Sequence, residues 1–248
     1  MFRLSYTKVH LYEYCAWAYK LRYVDKKRPL FRPRLLLGAT VHIAISEFLR
    51  RVMEGLPTAW AHMEQIFQRR WRGAATLNAE ESEKLRLRGL ELLRGFWGAN
   101  SPDFGHPLLL ETRFAINLGQ TRLEGIVDRV EDLQTGKVEV IDYKSGSAPE
   151  GNAAEHNLQL LIYAMACVEA WSLNPERVSL YYLADNTVQS SNVTAHDIDE
   201  TRNRIGRTAA DIGDGQFQPR IGPHCPDCDY FRACHYGQEW ADANVPIE

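Results

Sequence analysis

Residues 123–146 read LEGIVDRVEDLQTGKVEVIDYKSG, and their pattern decides the fold. Two runs rich in Val and Ile flank Gln134, Thr135 and Gly136, the pattern of a β-hairpin with a short glycine-containing loop. With Leu133 facing Lys137 across that loop, Asp128 falls directly opposite Asp142. Period-2 alternation then puts Ile126, Asp128, Val130, Val138, Val140, Asp142 and Lys144 on one face, with Arg129, Glu131 and Glu139 on the other. The apolar face therefore ends in three charges. Burying two carboxylates and an ammonium among valines costs free energy unless they pair with one another or with a metal. Two carboxylates at one end of a hairpin suit a hard divalent cation such as Mg²⁺, whose shell is completed by water and phosphate oxygens. Lys144 beside such an ion can orient or deprotonate an attacking water and stabilise charge on a phosphate. The plainer reading is an Asp–Lys surface pair near a strand end.

The hairpin sits in a chain of 248 residues, long enough for one sizeable core, or a core plus a helical subdomain. Apolar content of 45% and charged content of 25% are those of an ordinary globular protein. No apolar run approaches the roughly 18 residues of a membrane span. The opening MFRLSYTKVH has no signal-peptide character, so the sequence reads as cytoplasmic, with no membrane partner. A net charge of −3 does not advertise nucleic acid. A local stretch does: Lys20, Arg22, Lys26, Lys27, Arg28, Arg32 and Arg34, interleaved with Tyr19, Tyr23 and Phe31, offers phosphate contacts and base stacking. A solvated helix end and linker has the same composition.

Upstream of the hairpin, Leu108 to Leu118 reads as a strand containing Glu111. Before it, 58–71 and 79–97 read as helices of an inserted helical subdomain spanning 55–100, where Arg69, Arg70 and Arg72 form a solvated face. A helix ending near Glu54 carries Gly38 and His42 at its start. The first helix, 6–23, is capped by Ser5 and places Cys15 on its apolar face. Downstream, a turn at 145–149 leads to a helix over 153–170, in which Gln159 and Tyr163 share one face. A strand at 177–184, a partner at 187–193, a helix at 197–212 and a polar loop to Pro223 follow.

Residues 225–236 read CPDCDYFRACHY. Three thiolates in so short a segment are a metal signal, and in a chain read as cytoplasmic they favour a metal over disulfides. The fourth ligand is either Cys15, completing an all-cysteine iron-sulfur site, or His224 or His235, completing a zinc site. Cys167, among Ala and Val, reads as a core thiol.

Asp128 in GIVDR, then Asp142, Tyr143 and Lys144 in IDYKSG, resemble the GxxDR and DxK strands of the PD-(D/E)XK nuclease superfamily in its RecB-like branch. Gly38-x-x-x-His42 and Gln159-x-x-x-Tyr163 resemble that branch's GxxxH and QxxxY motifs. The CxxCxYxxxC run with an upstream cysteine resembles the iron-sulfur nuclease domains of the AddB helicase-nuclease subunit and the CRISPR-associated RecB-like nucleases. Here Cys15 is followed by Ala16 and Trp17, where many relatives have Pro-Arg or Pro-Leu.

The resemblance implies an α/β, restriction-endonuclease-like core, a mixed central sheet flanked by helices, over 1–248 as one RecB-like nuclease domain. It includes the 55–100 helical insertion and a Cys-rich segment at 213–248 that closes an N/C-terminal iron-sulfur clasp. It implies Mg²⁺ or Mn²⁺ held by His42, Asp128, Asp142 and the carbonyl of Tyr143, with Lys144 activating the attacking water. Gln159 and Tyr163 would position DNA, and Glu111 would lean on the metal or its waters from behind. Cys15, Cys225, Cys228 and Cys234 would hold a [4Fe-4S] cluster. The activity implied is a DNA exonuclease on single-stranded or frayed ends in repair or recombination, with a helicase as a possible partner. Its nearest rival is a CRISPR-adaptation nuclease trimming spacers with the integrase complex. A non-catalytic DNA-binding module and a zinc-ribbon protein are the rivals from other classes.

Overall fold

The computed structural model describes residues 2–30, 32–72 and 77–244. Phe31 of the basic stretch lies outside them, as does the side chain of Arg34. The chain forms two compact units, one of Arg32–Ile116 with Glu124–Thr201, the other of Met1–Phe31, Asn117–Leu123 and Arg202–Glu248.

The first unit is built on the hairpin. Strands β2 (Pro107–Leu118), β3 (Thr121–Asp132), β4 (Val138–Lys144), β5 (Pro175–Tyr182) and β6 (Thr187–Asn192) form its mixed sheet. β3 and β4 are antiparallel, β4 and β5 parallel, β5 and β6 antiparallel. Helix α6 (Leu158–Trp171) makes the crossover between the parallel pair and packs against both strands. It begins at the Asn157 cap, whose side chain accepts from the Gln159 and Leu160 N–H groups, so it starts later than the 153–170 pattern suggests.

Helices α3 (Pro33–Met53), α4 (Trp60–Arg70) and α5 (Ala79–Asn100) pack on the sheet face that carries Tyr143 and Tyr181. Phe48, Phe67, Leu93 and Phe96 are fully buried there. The helices of the 55–100 segment thus share one core with the helix that bears His42. Val140, Val178 and Leu180, at alternate positions on the same strands, are buried as well. A sheet covered on both faces explains why these strands read as near-continuous apolar runs.

One position departs from the expected face. Ile126 is 37% exposed while Asp128 is 9% exposed, so cover on that face ends at the aspartate. Gly125 has a separate explanation. A Cβ there would lie 2.6 Å from Phe114 on β2, whose ring packs edge-on against Tyr163 and Trp171 of α6. The missing side chain lets β2 lean across β3 and support the helix that carries Gln159.

The second unit contains β1 (Phe2–Leu4), parallel to Thr121–Leu123, and helices α1 (Tyr6–Tyr14) and α2 (Ala16–Tyr19) with a π-turn to Val24. It also holds the part of α7 (Ala195–Gly213) from Arg202 onward and α8 (His235–Asn244). Ser5 caps α1 through the Lys8 N–H. The continuous 6–23 helix is interrupted, because Cys15 is extended (φ −162°, ψ 112°). Glu13 and Arg204 form a bidentate pair at 2.6 Å, and Tyr12 and Tyr14 donate to the Gln216 and His224 carbonyls. Among the described residues, no helix is long and apolar enough to cross a membrane.

Replacing Gly125 with Ala forces the Phe114 ring toward Tyr163 and Trp171. The expected loss is about 1–3 kcal/mol of stability, read as a lower urea midpoint at unchanged m-value. An unchanged midpoint would show that Phe114 can move away freely.

Candidate metal and catalytic centre

The pairing Arg129↔Ile141, continued by one residue, sets Asp128 opposite Asp142, the register read from the loop. Asp128 Oδ2 accepts the Tyr143 N–H at 3.0 Å and lies 3.1 Å from His42 Nδ1 on α3. Glu111 is the third member. Its left-handed backbone (φ +46°) kinks β2, and ligand atoms of His42, Glu111 and Asp128 all lie within 4.8 Å of one another. Asp142 is 1% exposed, with Lys144 Nζ 2.7 Å from its Oδ2. That approach is an ion pair. Lys144 Nζ donates to Gln159 Oε1 at 2.8 Å, and Gln159 Nε2 donates to the Tyr163 hydroxyl at 2.9 Å.

These contacts give each expected residue its surroundings. Glu111, read as a support behind the metal, stands level with His42 and Asp128. Gln159, read as a DNA-positioning residue, has its carbonyl on Lys144 and its amide on Tyr163. Tyr143 contributes its N–H to Asp128, while its ring turns to the other face of the sheet.

Burial, and then the neighbouring Asp128 charge, push the Asp142 carboxyl up to about 6, against the pull of Lys144. Glu111 is raised by burial and by Asp128, against the pull of His42 and Arg50. Burial pulls His42 down, but its hydrogen bond to Asp128 and the charges of Asp128, Asp142 and Glu111 outweigh it and leave the imidazole raised. Burial and the Asp142 charge raise Tyr163. The carboxylates around His42 thus favour its protonated form. Crowded carboxylates that resist ionisation, beside an imidazole that holds its proton, are what oxygen-rich ligands for a divalent cation look like before it binds.

A family model described as the PD-(D/E)XK nuclease superfamily matches residues 3–235. The chain belongs to that superfamily. Among solved structures, a Eubacterium rectale protein whose exonuclease assignment is provisional has a TM-score of 0.57 at 11% identity, covering 99% of this chain and 94% of its own. The protein SSO0001 has a TM-score of 0.39 at 18% identity, covering 80% and 85%. No curated protein matched the chain.

PD-(D/E)XK nucleases use divalent metals, and the donor set here fits one: His42, Glu111 and Asp128, with Asp142 facing Asp128. The other face of the hairpin supports this centre. Arg129 donates to Glu131 (2.7 Å), to the Phe104 carbonyl (2.8 Å) and to the Tyr143 hydroxyl (3.3 Å). Glu139 accepts from Arg177 at 2.6 Å and from the Ser179 hydroxyl. The charges expected opposite the apolar face are therefore buried in a polar network of their own.

The cysteines gather in the other unit. Cys15, Cys225, Cys228 and Cys234 line one cavity with Tyr14, Ala18, Leu21 and Tyr230. Cys15 Sγ accepts the Arg220 N–H and Cys225 Sγ the Gly222 N–H, both at 3.4 Å. Burial raises Cys228 and Cys234, and the neighbouring thiols add to it. Among the described residues, the set of three or more ligand atoms within 4.8 Å of one another is His42, Glu111 and Asp128, so the sulfurs are spread more widely. Cys167 is fully buried in α6, where burial pushes its thiol up to about 12.

The raised groups fix a pH dependence. Asp142, Glu111 and His42 each hold a proton more tightly folded than unfolded, so their stabilisation is present at low pH and is lost as pH rises through the folded values. Metal-free protein should melt higher at about pH 5 than at about pH 7.5, and Asp142→Asn should narrow the gap. Mg²⁺ or Mn²⁺, which binds the ionised carboxylates, should raise the melting temperature most at the higher pH. Equal gaps in wild type and variant would contradict the assignment.

Proposed function

We propose that this chain is a RecB-like, metal-dependent DNA exonuclease that hydrolyses phosphodiesters at single-stranded ends in repair or recombination. The observation that carries the reading is the meeting of His42, Glu111, Asp128 and Asp142 with Lys144 on a paired-strand frame in a PD-(D/E)XK chain. Mg²⁺ or Mn²⁺ bound by these carboxylates and the imidazole supplies Lewis-acid charge and a more acidic water. Lys144, steadied by Gln159 and Asp142, orients the attacking water and faces the charge that builds on the phosphate. Water adds its hydroxyl to phosphorus, the bond to the 3′-oxygen breaks, and that oxygen takes the proton, leaving a 5′-phosphate. The basic stretch from Lys20 to Arg32, with Tyr19 and Tyr23, suits an unpaired strand. A helicase, or in a spacer-trimming role a CRISPR integrase complex, is the partner that would deliver such ends. The cytoplasm, whose reducing conditions keep thiols available as metal ligands, is the setting.

The same reading gives Cys15, Cys225, Cys228 and Cys234 a [4Fe-4S] cluster. Their shared cavity and the N–H groups on two sulfurs support it. A zinc ion with bonds of about 2.3 Å would need sulfurs roughly 3.8 Å apart, closer than this spread. The cluster would join α1 to the C-terminal segment within one unit, where the Glu13–Arg204 pair already ties α1 to α7.

End-labelled single-stranded DNA incubated with Mg²⁺ or with Mn²⁺ should be degraded by the wild type and spared by Lys144→Ala, with a rate loss of about 10²-fold or more. Intact DNA with the wild type under both metals would overturn the nuclease reading. Anaerobically purified protein should be brown, with broad visible absorbance and about four iron per chain. Cys15→Ala should be colourless and melt lower. A zinc-loaded, colourless wild type would replace the cluster with a zinc site.

A further inference from the structure

On the chain, α3 carries His42 and, eight residues later, Arg50, about 12 Å along the helix axis. Arg50 opens a cavity of about 270 Å³ whose wall also includes Glu47, Arg51, His62 and Arg69. Its Nη2 donates at 3.2 Å to the carbonyl of Leu110, the residue before Glu111, and its charge draws the Glu111 carboxyl down against burial. One guanidinium therefore reaches from the cavity to the edge of the carboxylate cluster. Arg51 donates twice to the Pro57 carbonyl, at 3.2 and 3.1 Å, which fixes its fork beside Arg50. Arg69 and Arg70, at the end of α4, both reach back to Glu47. His62 Nδ1 is buried, with no hydrogen-bond partner among the described residues.

Three lining arginines, Arg50, Arg51 and Arg69, against Glu47 and Glu54 reverse, locally, the sign of a chain whose net charge is −3. Guanidinium forks recognise phosphate oxygens in pairs, and such contacts position a strand without reading its bases. We propose that this cavity is a phosphate subsite, taking a phosphodiester of the same strand whose neighbouring linkage lies at the carboxylate cluster. The proposal rests on the nuclease reading above. Arg50 binds the strand next to the cleaved linkage, and Arg51 and Arg69 close around the same anion. Glu47 competes with that anion for Arg69 and Arg70, which gives two substitutions of opposite expected sign.

The test is an anisotropy titration of a 3′-labelled single-stranded oligonucleotide, with Mg²⁺ present and Lys144→Ala as parent to suppress cleavage. Adding Arg50→Gln should weaken binding about 5–10-fold near 0.1 M salt and reduce the slope of log affinity against log salt by about 0.7. Adding Glu47→Gln should tighten binding severalfold. If the arginines only clamp α3 to α4, Glu47→Gln lowers the melting temperature and neither substitution moves affinity, which overturns the proposal and leaves the nuclease reading standing. A parent that binds no DNA overturns both. Should Arg50→Gln fail to fold, Arg50→Lys, which keeps the charge and loses the fork, should show a smaller loss, and unchanged affinity for it and for Glu47→Gln together overturns the proposal.

Discussion

Two carboxylates facing each other across a buried hairpin are the constraint around which the rest of the structure is arranged. Asp128 and Asp142 are nearly or wholly out of water, and neither can be left ionised there without compensation. Each neighbour supplies part of it. The Tyr143 N–H and the His42 imidazole address Asp128, Lys144 addresses Asp142, and Gln159 fixes the lysine. They come from three places in the chain: the middle of α3, the strand β4 itself, and the first turn of α6. Satisfying the pair therefore positions three elements at once, and the same positions assemble the candidate chemistry.

How much of this was legible depended on whether the signal was periodic. The register was, because it needs only the loop residues and a period of two. The DxK and GxxxH residues were also legible, since each lies at fixed spacing on one element. The place of Glu111 beside His42 and Asp128 is not legible, because it depends on a single left-handed residue in β2, and a backbone reversal at a non-glycine leaves no mark in hydropathy. Cys15 was legible as a residue but not as a helix break, since its neighbours keep helical composition on both sides. β1, three residues long, and α8, in the polar C-terminal segment, carried too little apolar pattern to find.

Gln159 shows where a motif and a contact say different things. Spacing alone places it with Tyr163 on one helix face and leaves open what that face meets. The contact with Lys144 narrows the choice, because an amide whose carbonyl accepts from an ammonium must turn its NH₂ away, here toward the Tyr163 hydroxyl. The amide thus fixes where the ammonium sits relative to Asp142. A lysine on a flexible stem has several rotamers, and the Gln159 acceptor together with the Asp142 ion pair favours the one that faces the carboxylate cluster.

The second face of the hairpin explains why its register holds. A slip of β3 by one residue would put Arg129 in place of Asp128 opposite Asp142, bringing a guanidinium toward Glu111 and His42 and taking it from the Phe104 carbonyl and the Tyr143 hydroxyl. Ordinary strands fix their register by apolar against polar faces, but here both faces are buried and both carry charge. What distinguishes them is the kind of charge. One face pairs Arg129 with Glu131 and Arg177 with Glu139, so it is already neutral. The other concentrates three carboxylates, Glu111, Asp128 and Asp142, against Lys144 and His42, and a proton or a metal balances the rest. Register is thus set by electrostatic complementarity within each face, and the hairpin can leave one face with an excess of negative charge because the other is balanced internally.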